Sequence, residues 1–127
     1  MIIKYYLTAN GKSPFMDWYD NLDANIRATF DTRLRYLREQ EQHKWSMPYF
    51  KLLHGRCCGI GEIRFQVRRI QYRPLGYFGP MNHQFTLLVG AIEKNNRFVP
   101  KSVCKTALNY IGTLENQSGG KVDDWDS

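Results

Sequence analysis

Hydrophobic and polar residues alternate most clearly in the middle of the chain. Ile63, Phe65 and Val67 alternate with polar neighbours, which is the period of two expected of a half-buried strand. A second, less regular alternation follows, so the pattern predicts a β-hairpin. Whether two residues close this hairpin, Arg68 and Arg69, or four, its opposed positions pair in the same register.

This register places Arg64 directly opposite Arg73, on the polar side of both strands. Like charges opposed across two strands are destabilising, so one interpretation is an exposed pair of arginines that binds an anion. The other is a solvated face of ion pairs, in which Glu62 neutralises the two arginines. The pattern alone leaves both interpretations open.

The rest of the pattern predicts, in chain order, a strand over residues 2–7, a short helix from Pro14 to about Asp20, a longer helix capped by Asp23, a strand over 49–54, a strand over 85–92 and a helix from Pro100. The arginines of the longer helix are interpreted as a solvated face: Arg27, Arg33, Arg35 and Arg38. Residues 85–92 are almost all apolar, which is typical of a central strand buried on both faces. Residues 93–98 are expected to form a charged loop.

Pro74 cannot donate a hydrogen bond within a sheet, so we expect the second hairpin strand to bend or lose its pairing just beyond Arg73. Together the elements predict an α+β fold. Its sheet is mostly antiparallel with about five strands, and an N-terminal helical pair and a C-terminal helix pack on one face. A chain of 127 residues, 43% of them hydrophobic, suffices for one domain, which we place at residues 1–115.

The end of the chain differs from this domain in composition. Residues 116–127 are rich in Gly, Ser and Asp, which predicts an acidic flexible tail. Removing the three aspartates Asp123, Asp124 and Asp126 raises the net charge from +6 to +9, so the domain itself is strongly basic. Such a charge favours nucleic acid or an acidic protein as partner. The tail could fold over the basic surface and partly mask it, although disorder is the usual state of such tails.

Cysteine and histidine positions bear on the compartment and on metal binding. Cys57 and Cys58 are adjacent and can hardly pair with each other, so any pairing scheme leaves one cysteine over, and we interpret all three cysteines as reduced. The histidines are scattered and no CxxC pair occurs, so we expect no metal and no cofactor. No apolar run is long enough to span a membrane, and the N-terminus lacks the layout of a signal peptide. We therefore expect a cytoplasmic protein without a membrane partner.

Several short motifs, taken in order, resemble the RelE/HigB superfamily of bacterial toxin-antitoxin toxins, and within it the phage-derived HigB-like branch. The matching pieces are Pro14, Phe15 and Trp18; Leu22 and Asp23; Lys51, Leu52 and Leu53; the run from Gly61 to Phe65; Tyr72 and Arg73; and the run from Gly90 to Lys94 with Pro100 and Ala107. The resemblance covers about residues 1 to 112 and lies more in the order and spacing of the pieces than in any one of them.

The resemblance implies a metal-independent endoribonuclease that enters the ribosome, cuts translated mRNA and is silenced by a cognate antitoxin, expected to be a helix-turn-helix protein. Cleavage by attack of a ribose 2′-hydroxyl on its adjacent phosphate needs a base, cations for the charged phosphorane and an acid for the leaving oxygen. On this basis the catalytic candidates are Arg64, Arg73 and Lys94 as phosphate contacts and Glu62 as proton acceptor. The RNA-binding candidates are Arg97, Phe98, Tyr77 and His83.

The chain departs from the family pattern before the last helix, where several relatives carry a tyrosine or histidine. Asn96, Phe98 and Pro100 occupy that stretch here. Tyr77, His83 or His54 could donate a proton instead, but the sequence assigns no general acid or base. The alternative function is therefore a catalytically inactive RelE-like protein that binds RNA or only its antitoxin.

Overall fold

A computed structural model of the protein describes residues 1–125. Its helices and strands are β1 (Ile2–Leu7), α1 (Pro14–Asp20), α2 (Ala24–Arg38), β2 (Phe50–Leu52), β3 (Gly61–Ile63), β4 (Phe65–Val67), β5 (Ile70–Phe78), β6 (Gln84–Lys94), β7 (Arg97–Val99), α3 (Val103–Glu115) and β8 (Lys121–Asp124). Two short 3-10 turns lie at Gln42–Lys44 and Gly55–Cys57.

Both N-terminal helices follow from local sequence signals. The Ser13 side chain accepts a hydrogen bond from the Met16 backbone N–H at 3.1 Å, and Pro14 occupies the first turn of α1. The buried residues of α2 recur at spacings of four, four and three: Ile26, Phe30, Leu34 and Leu37. This stripe packs α2 against the sheet, and both predicted helices are confirmed.

The sheet has eight strands and is mixed, so the predicted five-stranded antiparallel sheet is wrong. Its strand order is β2-β3-β5-β6-β1-β8, while β4 also pairs with β5 and β7 with β6. β1 runs parallel to β6, and the other pairs are antiparallel. The missed strands, β7 and β8, have only three and four residues, and such short runs carry too little periodicity to be recognised. The interruption at Arg64 also divides one expected strand into β3 and β4.

Helices cover both faces of the sheet rather than one. On β6, Phe85 and Leu87 pack in a core cluster with the buried residues of α1 and α2. Leu88 and Ala91 of the same strand belong to a second cluster with the buried residues of α3. All four side chains are at most 1% exposed, which confirms residues 85–92 as part of a central strand buried on both faces.

The proline in β5 does not end the strand. Pro74 pairs with Gly90 of β6, and the pairing continues to Phe78. The irregularity expected just beyond Arg73 falls instead between Leu75 and Gly76, where the register shifts. Residues 93–98 also differ from the charged loop that we expected, because they form the turn and flanking ends of a β6-β7 hairpin.

The acidic tail forms part of the sheet over its described residues, so the expectation of a flexible tail is corrected there. β8 pairs antiparallel with β1, with Asp123 opposite Tyr5 and Asp124 opposite Lys4. Trp125 is 6% exposed and joins the core cluster beneath α1 and α2. The burial of this indole supplies a hydrophobic anchor that a tail of Gly, Ser and Asp otherwise lacks. Asp126 lies outside the described residues.

The three cysteines are not all reduced. Cys57 and Cys104 form a disulfide across 47 residues, and Cys58 is free and exposed. The sequence argument considered the adjacent pair and the odd number, but it could not see that the 3-10 turn before β3 packs against α3.

Candidate RNA-binding site

The two arginines of the central hairpin stand opposite each other, as predicted. Phe65 pairs with Tyr72 and Val67 with Ile70, and two residues close the turn. The backbone at both turn residues is left-handed, with φ of 51° and 69°, which a two-residue hairpin turn of this hand requires. This turn fixes the register of the hairpin, and with it the positions of Arg64 and Arg73.

Arg73 is buried, although the sequence analysis offered it as exposed. Its side chain is 2% exposed, and its Nε donates to Glu93 Oε1 at 3.1 Å. The two Nη groups donate to the Tyr72 carbonyl oxygen at 2.9 Å and to Gln71 Oε1 at 3.1 Å. Glu62 Oε2 lies 3.8 Å from Arg73 Nε and also pairs with Arg64 Nη1.

Glu62, Arg64, Arg73 and Glu93 therefore form one group, which we call the buried ion cluster. Two carboxylates balance two arginines, so Glu62 neutralises the pair together with Glu93. Because Glu62 and Arg73 are buried, this is not the solvated face of ion pairs that the pattern also allowed. Burial raises the pKa of the Glu62 carboxyl, while the neighbouring Arg64 and Arg73 act in the opposite direction. Of the two opposed arginines, only Arg64 is appreciably exposed, with 22% of its side chain accessible.

A groove opens at this end of the sheet, which we call the arginine groove. It has a volume of about 230 Å³ and is lined by three arginines, Arg33, Arg64 and Arg73, together with Met47, Pro48, Tyr49, Phe65, Gln66 and Gln71. The Arg64 backbone N–H donates to the Tyr49 carbonyl oxygen at 2.8 Å, which joins the segment before β2 to the break between β3 and β4. Small-molecule sites have volumes of about 300 to 1,000 Å³, so this groove suits a phosphate better than a whole metabolite.

Two lining residues were missed by the sequence analysis. The Arg33 guanidinium carbon lies 3.7 Å from the centre of the Tyr49 ring, a cation-π contact between α2 and the segment before β2. Arg33 had been assigned to a solvated helix face, and Tyr49 to an ordinary strand position. These residues are 16 positions apart on different elements, so no local sequence signal could bring them together.

Two of the predicted RNA-binding residues pack in or against the core cluster on the α3 side. Tyr77 is 6% exposed, and burial, with Glu115 adding to the effect, raises its pKa far above the usual tyrosine value. Phe98 is partly buried and packs against the same cluster. The Tyr77 ring cannot stack on an RNA base without a rearrangement of this core, whereas Phe98 also lines a separate groove of about 440 Å³ with Lys94 and Arg97.

The other candidates are not brought to the arginine groove. Side chains alternate along β6, so Lys94 lies on the opposite sheet face from its neighbour Glu93, and Arg97 pairs with Lys94. Arg73 pairs with Ala91, and His83 precedes Ala91 by eight positions, a distance of about 25 Å along a strand. His83 lines a separate groove with Met1 and residues 39–43.

Within residues 1–125, no group of three or more His, Cys, Asp or Glu side chains is arranged to hold a metal ion. No helix in this part of the chain is long and apolar enough to cross a membrane. Comparisons of the chain with protein-family models, with curated proteins and with solved structures give no match in any of the three.

Proposed function

We propose that the protein is an RNA-cleaving toxin of a toxin-antitoxin pair, which cuts mRNA on the ribosome without a metal ion. The observation that carries the proposal is the arginine groove, which is lined by Arg33, Arg64 and Arg73 and has a volume that suits a phosphate. Guanidinium forks match phosphate oxygens in pairs. The overall charge of +6 supports an anionic partner. The expected partners are the ribosome, mRNA and a helix-turn-helix antitoxin, and the expected compartment is the cytoplasm.

In the proposed reaction the ribose 2′-oxygen attacks the adjacent phosphorus and the bond from phosphorus to the 5′-oxygen breaks. The 2′-hydroxyl loses its proton to a base, and the leaving 5′-oxygen takes a proton from an acid, so the products are a cyclic phosphate and a 5′-hydroxyl. Arg64 is the guanidinium that contacts the phosphate, since its side chain is partly exposed beside the groove. Arg73 is a positioning residue, because its donors are held by Glu93, Gln71 and Tyr72.

The arginine groove provides fewer side chains for the two proton transfers than for binding the phosphate. Glu62 is 2% exposed and is paired with Arg64, so it can accept a proton from RNA only if that pair opens. Tyr49 is the one lining residue of the arginine groove that carries a hydroxyl, and we propose it as the general acid.

The test is induction of the wild-type protein and of Arg64→Gln in growing bacteria, followed by mapping of RNA ends. The wild type is expected to arrest growth and to produce new mRNA ends with 5′-hydroxyl groups, only in translated regions. Loss of a charge-assisted contact of about 1.5 to 3 kcal/mol should lower the cleavage rate roughly tenfold or more in Arg64→Gln. Arg69→Gln is the matched control, because Arg69 is an exposed arginine in the hairpin turn and does not line the groove.

A second function, an RNA- or antitoxin-binding protein that does not cut, is favoured by one observation. Three of the four predicted catalytic residues, Glu62, Arg64 and Arg73, are paired in the buried ion cluster. The same experiment separates the two functions. Growth arrest without new RNA ends would exclude the proposed cleavage, and ends that form in Arg64→Gln at the wild-type rate would exclude the role that we assign to Arg64.

A further inference from the structure

Arg33 and Tyr49 line two grooves at once. On one side is the arginine groove, and on the other is a wider groove of about 520 Å³, which we call the tyrosine groove. The tyrosine groove is also lined by Thr32 and Tyr36 of α2. The stacked pair therefore connects a site that suits a phosphate to a larger space with aromatic walls.

We propose that Arg33, Tyr49 and Tyr36 form a subsite for one unstacked base of single-stranded RNA, with the adjacent phosphate in the arginine groove. This inference rests on the proposed binding of RNA and adds the form of RNA that is bound. It implies that the protein holds an unpaired strand, because a base inside a duplex is not free to leave its stack.

Two properties of Arg33 support the subsite. Among the described residues 1–125, no carboxylate forms an ion pair with Arg33, and its buried Nε has no hydrogen-bond partner. This guanidinium therefore keeps its charge available, in contrast to Arg64 and Arg73, which are paired with carboxylates. Single-strand binding sites combine cations that contact the backbone with aromatic rings on which the bases stack, and Arg33 and the two tyrosines bring both together.

The aromatic side of the subsite is accessible. The Tyr36 and Tyr49 rings lie 5.4 Å apart at an interplanar angle of 77°. Tyr36 is 49% exposed although it is a large aromatic residue, so part of its surface is free to contact a ligand. Stacking of a base on such a ring depends little on which base it is, so we expect weak sequence preference at this position.

The experiment measures binding of a labelled single-stranded RNA of mixed sequence, and of a backbone of the same length without bases, by fluorescence anisotropy. Arg33→Gln and Tyr36→Ala should each weaken RNA binding about fivefold or more, as expected for loss of one stacked base or its phosphate contact. Tyr36→Ala should leave binding of the baseless backbone unchanged. Arg35→Gln is the matched control, since it removes one charge from an exposed position of α2 outside both grooves.

The outcomes separate this subsite from the proposed function. If the wild type binds RNA and Arg33→Gln binds no worse than Arg35→Gln, the Arg33-Tyr49 contact is only packing and the inference is wrong. Tyr36→Ala decides the question if Arg33→Gln unfolds, because the exposed Tyr36 ring is not in the core. A folded Tyr36→Ala variant that binds RNA like the wild type also overturns the subsite. If the wild type binds no RNA, the proposed function itself fails.

Discussion

Arg64 and Arg73 occupy opposed positions of one hairpin, yet their side chains are 22% and 2% exposed. The difference comes from the strands beside them, since β5 is an inner strand flanked by β6, while Arg64 lies at the break between β3 and β4. Substitutions at the two positions should therefore act differently. We expect Arg64 to be needed for RNA contact and Arg73 for the fold.

Arg73→Met should lower the free energy of unfolding by about 3 to 5 kcal/mol, because it leaves Glu62 and Glu93 buried or half-buried without their shared cation. Glu62→Gln should cost less, because the amide keeps the side-chain volume and Arg73 retains Glu93 as its partner. Urea denaturation of the two variants beside the wild type measures both values. Equal loss of stability in the two variants would contradict the unequal roles that we assign.

Comparing the wild type with Glu62→Gln also tests how stability depends on pH. Because the folded-state pKa of Glu62 is raised above 4.5, the folded protein holds this proton longer than the unfolded chain as pH rises. The wild type should therefore lose stability relative to Glu62→Gln as pH rises from 4.5 through the folded-state pKa, and the difference should be absent below that window. A difference that grew towards acid pH instead would mean that Arg64 and Arg73 outweigh burial.

The hairpin register and the pairing of Arg64 with Arg73 could be predicted because both follow from alternation along a short segment. The burial of Arg73 could not, since Glu93 is 20 residues away and comes beside it only through the pairing of β5 with β6. Arg33 and Tyr49 were missed for a similar reason. A cation-π contact between distant elements leaves no periodic trace in the sequence.

At the scale of elements, the disulfide ties the 3-10 turn before β3 to α3. Cys104 lies in the first turn of α3 and is 8% exposed, beside the core cluster on that face. Without this bond, α3 is held to the sheet by the apolar contacts of its buried residues, Val103, Ala107 and Leu114, and by the hydrogen bond between the Tyr6 and Thr113 hydroxyls. Cross-linking two segments 47 residues apart reduces the conformational entropy of the unfolded chain.

Cys104→Ala should therefore lower the free energy of unfolding by about 3 to 4 kcal/mol under oxidising conditions. Thermal unfolding with and without a reducing agent measures the effect, since reduction should bring the wild type close to Cys104→Ala. Cys58→Ala is the matched control, because Cys58 is exposed and unpaired in the structure. Equal melting temperatures for the wild type with and without reductant would show that the bond contributes nothing to stability.

The elements themselves were predictable where the pattern was long or carried a cap. The Ser13 cap with Pro14 and the apolar run in β6 are such cases. β8 was not predictable, because its four residues gain their partner only from β1, at the other end of the chain. The choice of one helical face was wrong because the apolar run of β6 requires cover on both sides, so α3 had to lie opposite α1 and α2.

At the scale of the whole molecule, we expect RNA binding to depend more on where the charges lie along the sheet than on the net charge. The arginine groove lies near β3 and β4, whereas the acidic strand β8 forms the far edge in the order β2-β3-β5-β6-β1-β8. Four strand spacings separate β3 from β8, which is about 19 Å. Asp124 is also paired with Lys4, and Asp123 accepts a hydrogen bond from the Tyr5 hydroxyl at 3.3 Å. The described part of the acidic tail, residues 121–125, therefore does not lie over the arginine groove.

Replacing Asp123 and Asp124 together by Asn should leave RNA affinity within about twofold of the wild type at physiological salt, because charges are screened over roughly 8 Å under those conditions. Anisotropy measurements with single-stranded RNA at low and physiological salt provide the test. Arg33→Gln, measured beside it, should show the loss that the double variant lacks, although it changes the net charge by less. Several-fold tighter RNA binding by the double variant at physiological salt would mean that the acidic edge reaches the groove after all.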